Sequence, residues 1–313
     1  MKKIFAIALC LVLATSVFAQ QRFLTIATGG TAGTYFPLGG ALADIWNKNI
    51  PKMNATAQST GASIANINLL KGGNVDVIFT QNDVANYSYN GTELLKGQAY
   101  KDLRGMACLY NETIQLVALE SSGIKTLADL KGKRVSVGAA GSGTEANARQ
   151  ILEAAGLTYN DIKVQYLSFG ESASNMKDGN IDAAFNTAGV PTAAIQDLSV
   201  SKKMILVPID KEVAAKLMQK YPFYAVQVIP ANTYQGQSQA VTTVAVKSML
   251  AVSSKMPADL VYELLQTMFS NTDRLIAAHA QGKNVKLETA LEGMSIPLHP
   301  GAEKFYKEKG VLK

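Results

Sequence analysis

The chain has 313 residues, a formal charge of +6, 48% apolar residues and 17% charged ones. It is long enough for two domains and too apolar for a disordered chain. Its basic residues are scattered and form no run interleaved with aromatics, so no nucleic-acid partner is expected, and the mild positive balance instead favours an anionic ligand.

Met1 to Ala19 reads as a cleaved signal peptide. Lys2 and Lys3 precede an apolar core, Ile4 to Ala14, and Val17-Phe18-Ala19 offers small residues to a signal peptidase. The core is too short for an ordinary transmembrane helix. A periplasmic protein starting near Gln20 is expected. Cys10 leaves with the signal, so Cys108 is the one cysteine of the mature chain and no internal disulfide can form. Cys108 follows Met106-Ala107 in an apolar stretch and reads as a buried structural thiol.

Phe23-Leu24-Thr25-Ile26-Ala27-Thr28 reads as a strand. Gly29-Gly30-Thr31-Ala32-Gly33-Thr34-Tyr35 follows as a loop of small residues. A helix comes next, with apolar pairs at Pro37/Leu38, Ala41/Leu42 and Ile45/Trp46. The design recurs. Arg134 to Val137 is a strand, Gly138-Ala139-Ala140-Gly141-Ser142-Gly143-Thr144 a loop, and a helix runs through Ala148, Ile151, Leu152 and Ala155 to a stop at Gly156.

The two halves stay in step. Ala55 to Gln58 leads to Ser59-Thr60-Gly61-Ala62-Ser63, a helix with Ile64, Ile67 and Leu70, and a strand, Val75 to Thr80. Val164 to Leu167 leads to Ser168-Phe169-Gly170-Glu171-Ser172, a short helix, and a strand, Ile181 to Asn186. Gly-Asn-Val-Asp-Val-Ile-Phe ends the first series and Gly-Asn-Ile-Asp-Ala-Ala-Phe the second. These are two copies of one α/β layout, and they predict two lobes facing each other across a cleft at the carboxyl ends of the strands.

Lys101 to Leu119 carries the first crossover, with Gln115 to Leu119 a strand of the second lobe. Thr126 to Arg134 reads as a short helix and turn. Thr187 to Pro191 opens a further helix with the proline in its first turn. Met204 to Pro208 is a strand, and Thr242 to Val246 is the returning one. Helices are expected over Pro257 to Phe269 and Thr272 to Ala280. The tail, Pro297 to Lys313, packs on the first lobe through Phe305 and Tyr306. The first lobe is therefore expected over 20–114 and 247–313, the second over 115–246.

No catalytic constellation assembles. There is no Gly-x-Ser-x-Gly elbow at Ser142 and no phosphate-binding Gly-x-x-x-x-Gly-Lys-Ser/Thr loop. The two histidines, His279 and His299, lack metal-site spacing and read as structural or surface residues. A non-enzyme without metal or cofactor is expected. A hydrolase using Ser142 with a histidine stays open, because triads are assembled in space.

Ala27 to Pro37 resembles the opening of the TAXI family, the extracytoplasmic solute-binding proteins of tripartite (TRAP) transporters. Also similar are Gln58 to Ser63, Gly138 to Glu145, and Pro297-Leu298-His299-Pro300-Gly301-Ala302. The resemblance spans essentially the whole mature chain. It implies a two-lobed type II periplasmic-binding-protein (Venus flytrap) fold, a monomer, no catalysis and delivery of ligand to a membrane permease. It implies a ligand of the glutamate, glutamine or 2-oxoglutarate class, held without the arginine clamp of other TRAP binding proteins. No arginine lies in the candidate loops. A ligand carboxylate would then rest on backbone N–H groups and hydroxyls at helix N-termini. The candidates are Gly30, Thr31, Thr34 and Tyr35, then Ser59, Thr60, Gly61 and Ser63, then Gln81. In the other lobe they are Ser142, Gly143 and Thr144, with Asn186 and Thr187; Tyr224 would reach across the cleft. The alternative is a sensing domain of the same shape that feeds a signalling kinase.

Overall fold

One twisted sheet runs through the molecule and carries both halves of the repeat. The computed structural model describes residues 21–313, so the expected signal peptide lies outside the described residues. The first half is β1 (Arg22–Ala27), α1 (Tyr35–Asn49), β2 (Met53–Gln58), α2 (Ser63–Lys71), β3 (Val77–Gln81) and α3 (Asn82–Asn90). A long strand, β4 (Leu103–Leu119), leads into the second half. There follow β5 (Arg134–Ser136), α4 (Gly143–Ala154), β6 (Lys163–Gln165), α5 (Phe169–Lys177) and β7 (Ala183–Ala188). Then come α6 (Ala193–Ser201), β8 (Met204–Val207), α7 (Lys211–Lys220) and β9 (Ala225–Ile229). The second long strand, β10 (Val241–Ser253), returns to the first half, which α8 (Ala258–Phe269), α9 (Thr272–Ala278) and α10 (Pro300–Glu308) complete.

The strand order is β2-β1-β3-β10-β4-β7-β5-β6, with β8 on β4 and β9 on β10. From either edge inward, the pattern is the same. Three parallel strands, β2-β1-β3 or β6-β5-β7, meet one antiparallel strand, β10 or β4. The matched sequence pieces do matched work. Asp76 accepts a hydrogen bond from Thr25 N–H at 2.7 Å and returns its own N–H to the Thr25 carbonyl. Asp182 does both with Arg134, at 2.8 Å each. Gly73 and Gly179 turn the chain ahead of them at φ +72° and +75°, a conformation that glycine adopts without steric cost.

The fold is two-lobed α/β, and each side of the cleft has its own apolar core. One gathers Leu38 and Trp46 of α1, Leu264 of α8, and Phe305 and Tyr306 of α10. The tail thus packs on the first half, as its aromatics predict. Another joins Ile114, Val135, Ile151, Phe185 and Val246. β4 and β10 take part in both, and they pair from Leu103↔Ser253 to Thr113↔Ala245 with register shifts beside Lys247–Met249 and Leu250–Ala251.

Three local expectations need correction. Pro191 follows a cis Val190–Pro191 bond and precedes the N-cap of α6, Thr192, so it is not in the first turn. Thr187, expected to open the next helix, lies inside β7 beside Asn186. His279 ends α9 in extended backbone. His279 and His299 cap the backbone N–H groups of Gln281 and Gly301, at 3.0 and 3.2 Å.

Cys108 is buried, and burial pushes its thiol up to about 12. Its thiolate population at pH 8 is then on the order of one in ten thousand. We expect a thiol reagent at pH 8 to modify the native protein only as fast as the protein unfolds. Modification at the rate of a free cysteine would contradict this packing.

Candidate functional site

A cavity of about 60 Å³ lies between the two halves. The N-termini of four helices reach it. They are those of α1 at Thr34 and Tyr35, α2 at Ser63, α4 at Ser142 and Gly143, and α5 at Ser168 and Phe169. The first N–H groups of a helix have no intrahelical acceptor, and its dipole favours negative charge there. The lower wall is different. Gln81 from the end of β3 and Tyr110 and Glu112 from β4 form it.

Glu112 is 2% exposed. Its Oε2 accepts from Gln81 Nε2 at 3.1 Å, and its Oε1 has no hydrogen-bond partner. Burial pushes its carboxyl up to about 7; the Tyr35 hydroxyl and the Gln81 amide pull the other way. The Tyr35 and Tyr110 hydroxyls, Gln81 Oε1 and Thr187 Oγ1 are also buried and make no hydrogen bond of good geometry, although the Tyr35 hydroxyl lies near enough to Glu112 to hold its carboxyl down. All belong to residues of the cavity wall, which includes no lysine or arginine among the described residues.

The two halves are closed on one another. The Gly141 carbonyl caps α2 from the opposite side of the cleft, accepting from Ile64 N–H at 3.0 Å and Ala65 N–H at 3.1 Å. Thr34 Oγ1 accepts from Gly189 N–H at 3.0 Å, and Gln281 Nε2 donates to the Val190 carbonyl at 2.6 Å. Gly143 faces Gln81 so closely that a Cβ there would overlap the Gln81 side-chain amide. Its backbone is not in the left-handed region, so the constraint on Gly143 is steric approach.

Of the residues expected from sequence, Gly30, Thr34, Tyr35, Thr60, Gly61, Ser63, Gln81, Ser142, Gly143, Thr144 and Thr187 line the cavity. Several of their hydroxyls already serve the fold. Ser142 Oγ accepts from Glu145 N–H at 3.1 Å as the N-cap of α4. Ser63 Oγ accepts from Gln81 N–H at 3.2 Å. Thr144 Oγ1 accepts from Thr187 N–H at 3.3 Å, and Thr60 Oγ1 donates to Asn66 Oδ1 at 2.5 Å.

Four others stand outside the wall. Thr31 is exposed on its loop. Ser59 is exposed too, and its Oγ donates to the Gly29 carbonyl at 3.0 Å. The Asn186 amide lies on the other face of β7 and donates to the Ala184 carbonyl at 3.3 Å. The Tyr224 hydroxyl is enclosed in a polar network, accepting from Asn147 Nδ2 at 2.8 Å and donating to Gln150 Oε1 at 2.6 Å. That network does cross between the halves, because Asn147 also donates to Asp83 Oδ2 at 3.0 Å. Sequence reasoning missed Tyr110, Glu112 and Phe169. A signal for Glu112 existed: a carboxylate in a short polar break, Asn111-Glu112-Thr113, between the apolar Met106 to Tyr110 and Ile114.

A family model described as the NMT1-like family matches residues 26–310. The chain belongs to the NMT1-like family. This NMT1-like chain is also 33% identical over 121 residues to a putative aliphatic sulfonates-binding protein of Escherichia coli K12. That match covers 39% of the chain and 33% of the relative, so the chain spans about a third of that relative's length. Among solved structures, a putative L-cystine ABC transporter from Listeria monocytogenes aligns with TM-score 0.53 and 18% identity. The alignment covers 84% of this chain and 96% of that one. A protein from Bordetella bronchiseptica aligns with TM-score 0.54 and 16% identity, over 93% and 89% of the two chains. At these identities the NMT1-like chain shares their fold.

Proposed function

We propose that this chain is the extracytoplasmic substrate-binding component of a transporter. It closes on a small acid or amino acid in the interlobe cavity and presents the closed form to a membrane permease. The observation that carries the reading is the cavity itself. Four helix N-termini converge on it, and five residues of its wall, Tyr35, Gln81, Tyr110, Glu112 and Thr187, hold buried polar atoms without a hydrogen bond of good geometry. Buried polar groups are normally satisfied, so such a cluster calls for a ligand. The NMT1-like membership and the shared fold support binding without turnover. The resemblance to TAXI proteins supports a TRAP permease as partner and the glutamate, glutamine or 2-oxoglutarate class as ligand. The lobes would divide near 114/115 and 246/247, where β4 and β10 pass from one core to the next. Ligand shifts the open–closed balance only by its differential affinity for the closed form.

Mass spectrometry of the small molecule that co-purifies with the protein tests this directly. A thermal-shift panel of amino acids, 2-oxo acids and ethanesulfonate tests it independently. We expect stabilisation by at least one of them; a flat panel, with nothing co-purified, rejects the reading. Ser142→Ala removes the cap of α4 and a donor from the wall. We expect a loss of about 1 kcal/mol of stability. Affinity for the stabilising acid, read by calorimetry, should fall by roughly 0.5–3 kcal/mol. Unchanged affinity in the folded variant would limit Ser142 to capping.

A further inference from the structure

We infer that Glu112 is the ammonium-recognising residue of the cavity, so that its ligand is a zwitterionic α-amino acid and not the corresponding 2-oxo acid. The inference rests on the solute-binding reading and narrows it. Glu112 and Gln81 both belong to the cavity wall, and Glu112 Oε1 and Gln81 Oε1 are both buried without a hydrogen bond of good geometry; the donors nearest to Glu112, besides Gln81, are the neutral hydroxyls of Tyr35 and Ser248. An ionised carboxylate and an amide oxygen can only accept hydrogen bonds. A ligand carboxylate or sulfonate cannot satisfy them, because it too only accepts. An ammonium offers three donors and no acceptor. Thr187 Oγ1, also buried and unpartnered, can supply a third acceptor.

Charge points the same way. A buried carboxylate is normally paired with a cation. The groups facing Glu112 are Tyr35 from α1, Gln81 from β3, Tyr110 from β4 and Ser248 from β10, all neutral, and Asp83 from α3 is a second acid. None supplies a positive charge. The four helix N-termini occupy the rest of the wall and favour negative charge. The cavity is therefore dipolar: an acid, Glu112, stands in its floor, and helix N-termini whose dipoles favour negative charge form its rim. An α-amino acid has that polarity, and a 2-oxo acid has only its anionic half.

The test is calorimetry at pH 6 and pH 8 with matched pairs: L-glutamate and 2-oxoglutarate, L-alanine and pyruvate, L-leucine and 4-methyl-2-oxopentanoate. The Glu112 carboxyl sits at about 7 in the unliganded protein. Ammonium binding requires its ionised form, so amino-acid affinity should rise up to about ten-fold from pH 6 to pH 8, with a proton released on binding. The amino acid of the pair that binds should be at least about ten-fold tighter than its oxo partner, the size of one charge-assisted contact. Glu112→Gln keeps the shape and should abolish both the pH dependence and the preference. An oxo acid that binds more tightly than its amino acid, with affinity rising towards pH 6, overturns the role of Glu112 and leaves solute binding standing. A wild-type pH response that persists in folded Glu112→Gln also overturns it. No binding by any pair, together with a flat thermal-shift panel, removes the solute-binding reading as well.

Discussion

Gly143→Val should lose ligand affinity by roughly 2–5 kcal/mol, combining overpacking with a broken buried hydrogen bond. That is at least about thirty-fold. The reason lies across the cleft. A Cβ on Gly143 overlaps the Gln81 amide, which is itself 1% exposed and bonded to Glu112. Closure then requires Gln81 to leave, and Glu112 loses the hydrogen bond that Gln81 Nε2 donates to it. The change sits at the first position of α4, where either residue is tolerated, so the open protein should fold. Calorimetry with the acid identified by the thermal-shift panel reads the affinity. Small-angle scattering with that acid should show a larger radius of gyration than for the liganded parent. Adding Gln81→Ala makes room for the valine and should restore closure by scattering while leaving affinity low. If folded Gly143→Val binds like the parent, the approach of Gly143 to Gln81 has no part in closure.

The unliganded protein should become less stable as pH rises from about 4.5 to 7. Two fully buried carboxyls, Asp83 and Glu112, are each pushed up to about 7, mainly by burial. The folded state then holds protons that the unfolded state has released. Its stability is highest below the unfolded values and falls as pH climbs through the interval. One pKa unit corresponds to about 1.4 kcal/mol, so each group contributes on the order of 3 kcal/mol across the interval. A fall in melting temperature of roughly 10 °C or more is expected between pH 5 and 7.5. Asp83→Asn keeps the contact with Asn147 within reach and should flatten about half of the slope. Below pH 4 the sign reverses. Asp182, Glu153 and Asp161 are held low by hydrogen bonds from Arg134, Lys220 and the Thr158 backbone, and protonating them removes those contacts. A melting temperature that climbs steadily from pH 5 to 7.5, or an Asp83→Asn profile identical to the parent's, would refute this account.

The repeat was legible because its markers are local. Gly-Asn-x-Asp, with the strand that follows it, has the same backbone job in each half, so both copies keep the same residues. The loops at 29–35 and 138–144 were legible for a related reason: only small residues let a helix N-terminus face open space. What escaped was set by distant contacts. β4 and β10 were read at roughly their second-half portions, because Asn111-Glu112-Thr113 and Lys247-Ser248 interrupt the apolar pattern where the strands change cores. Glu112 of this break is in the cavity floor and Ser248 lies against it, so the same break hides both the strand length and Glu112. The helix α3 opens with Asn82-Asp83 immediately after a strand, and local pattern gives no reason to bury them. Asp83 is buried by α4 from the other half. Residue type alone suggests Tyr224 for the cleft, and the polar network around Asn147 and Gln150 takes it away.

The core formed by α1, α8 and α10 also bears on how the chain is made. Trp46 donates its indole N–H to the Leu264 carbonyl, 218 positions later, and Tyr306 donates to the Met106 carbonyl across 200. A partner of α1 thus follows it in synthesis by more than two hundred residues. Contacts so far apart in sequence form slowly, and the apolar face of α1 stays exposed in the interval. The second core needs a shorter stretch of chain, from Tyr87 to Val246, and is complete once β10 has been made. During synthesis that core can condense while α1 still lacks the partners that α8 and α10 supply.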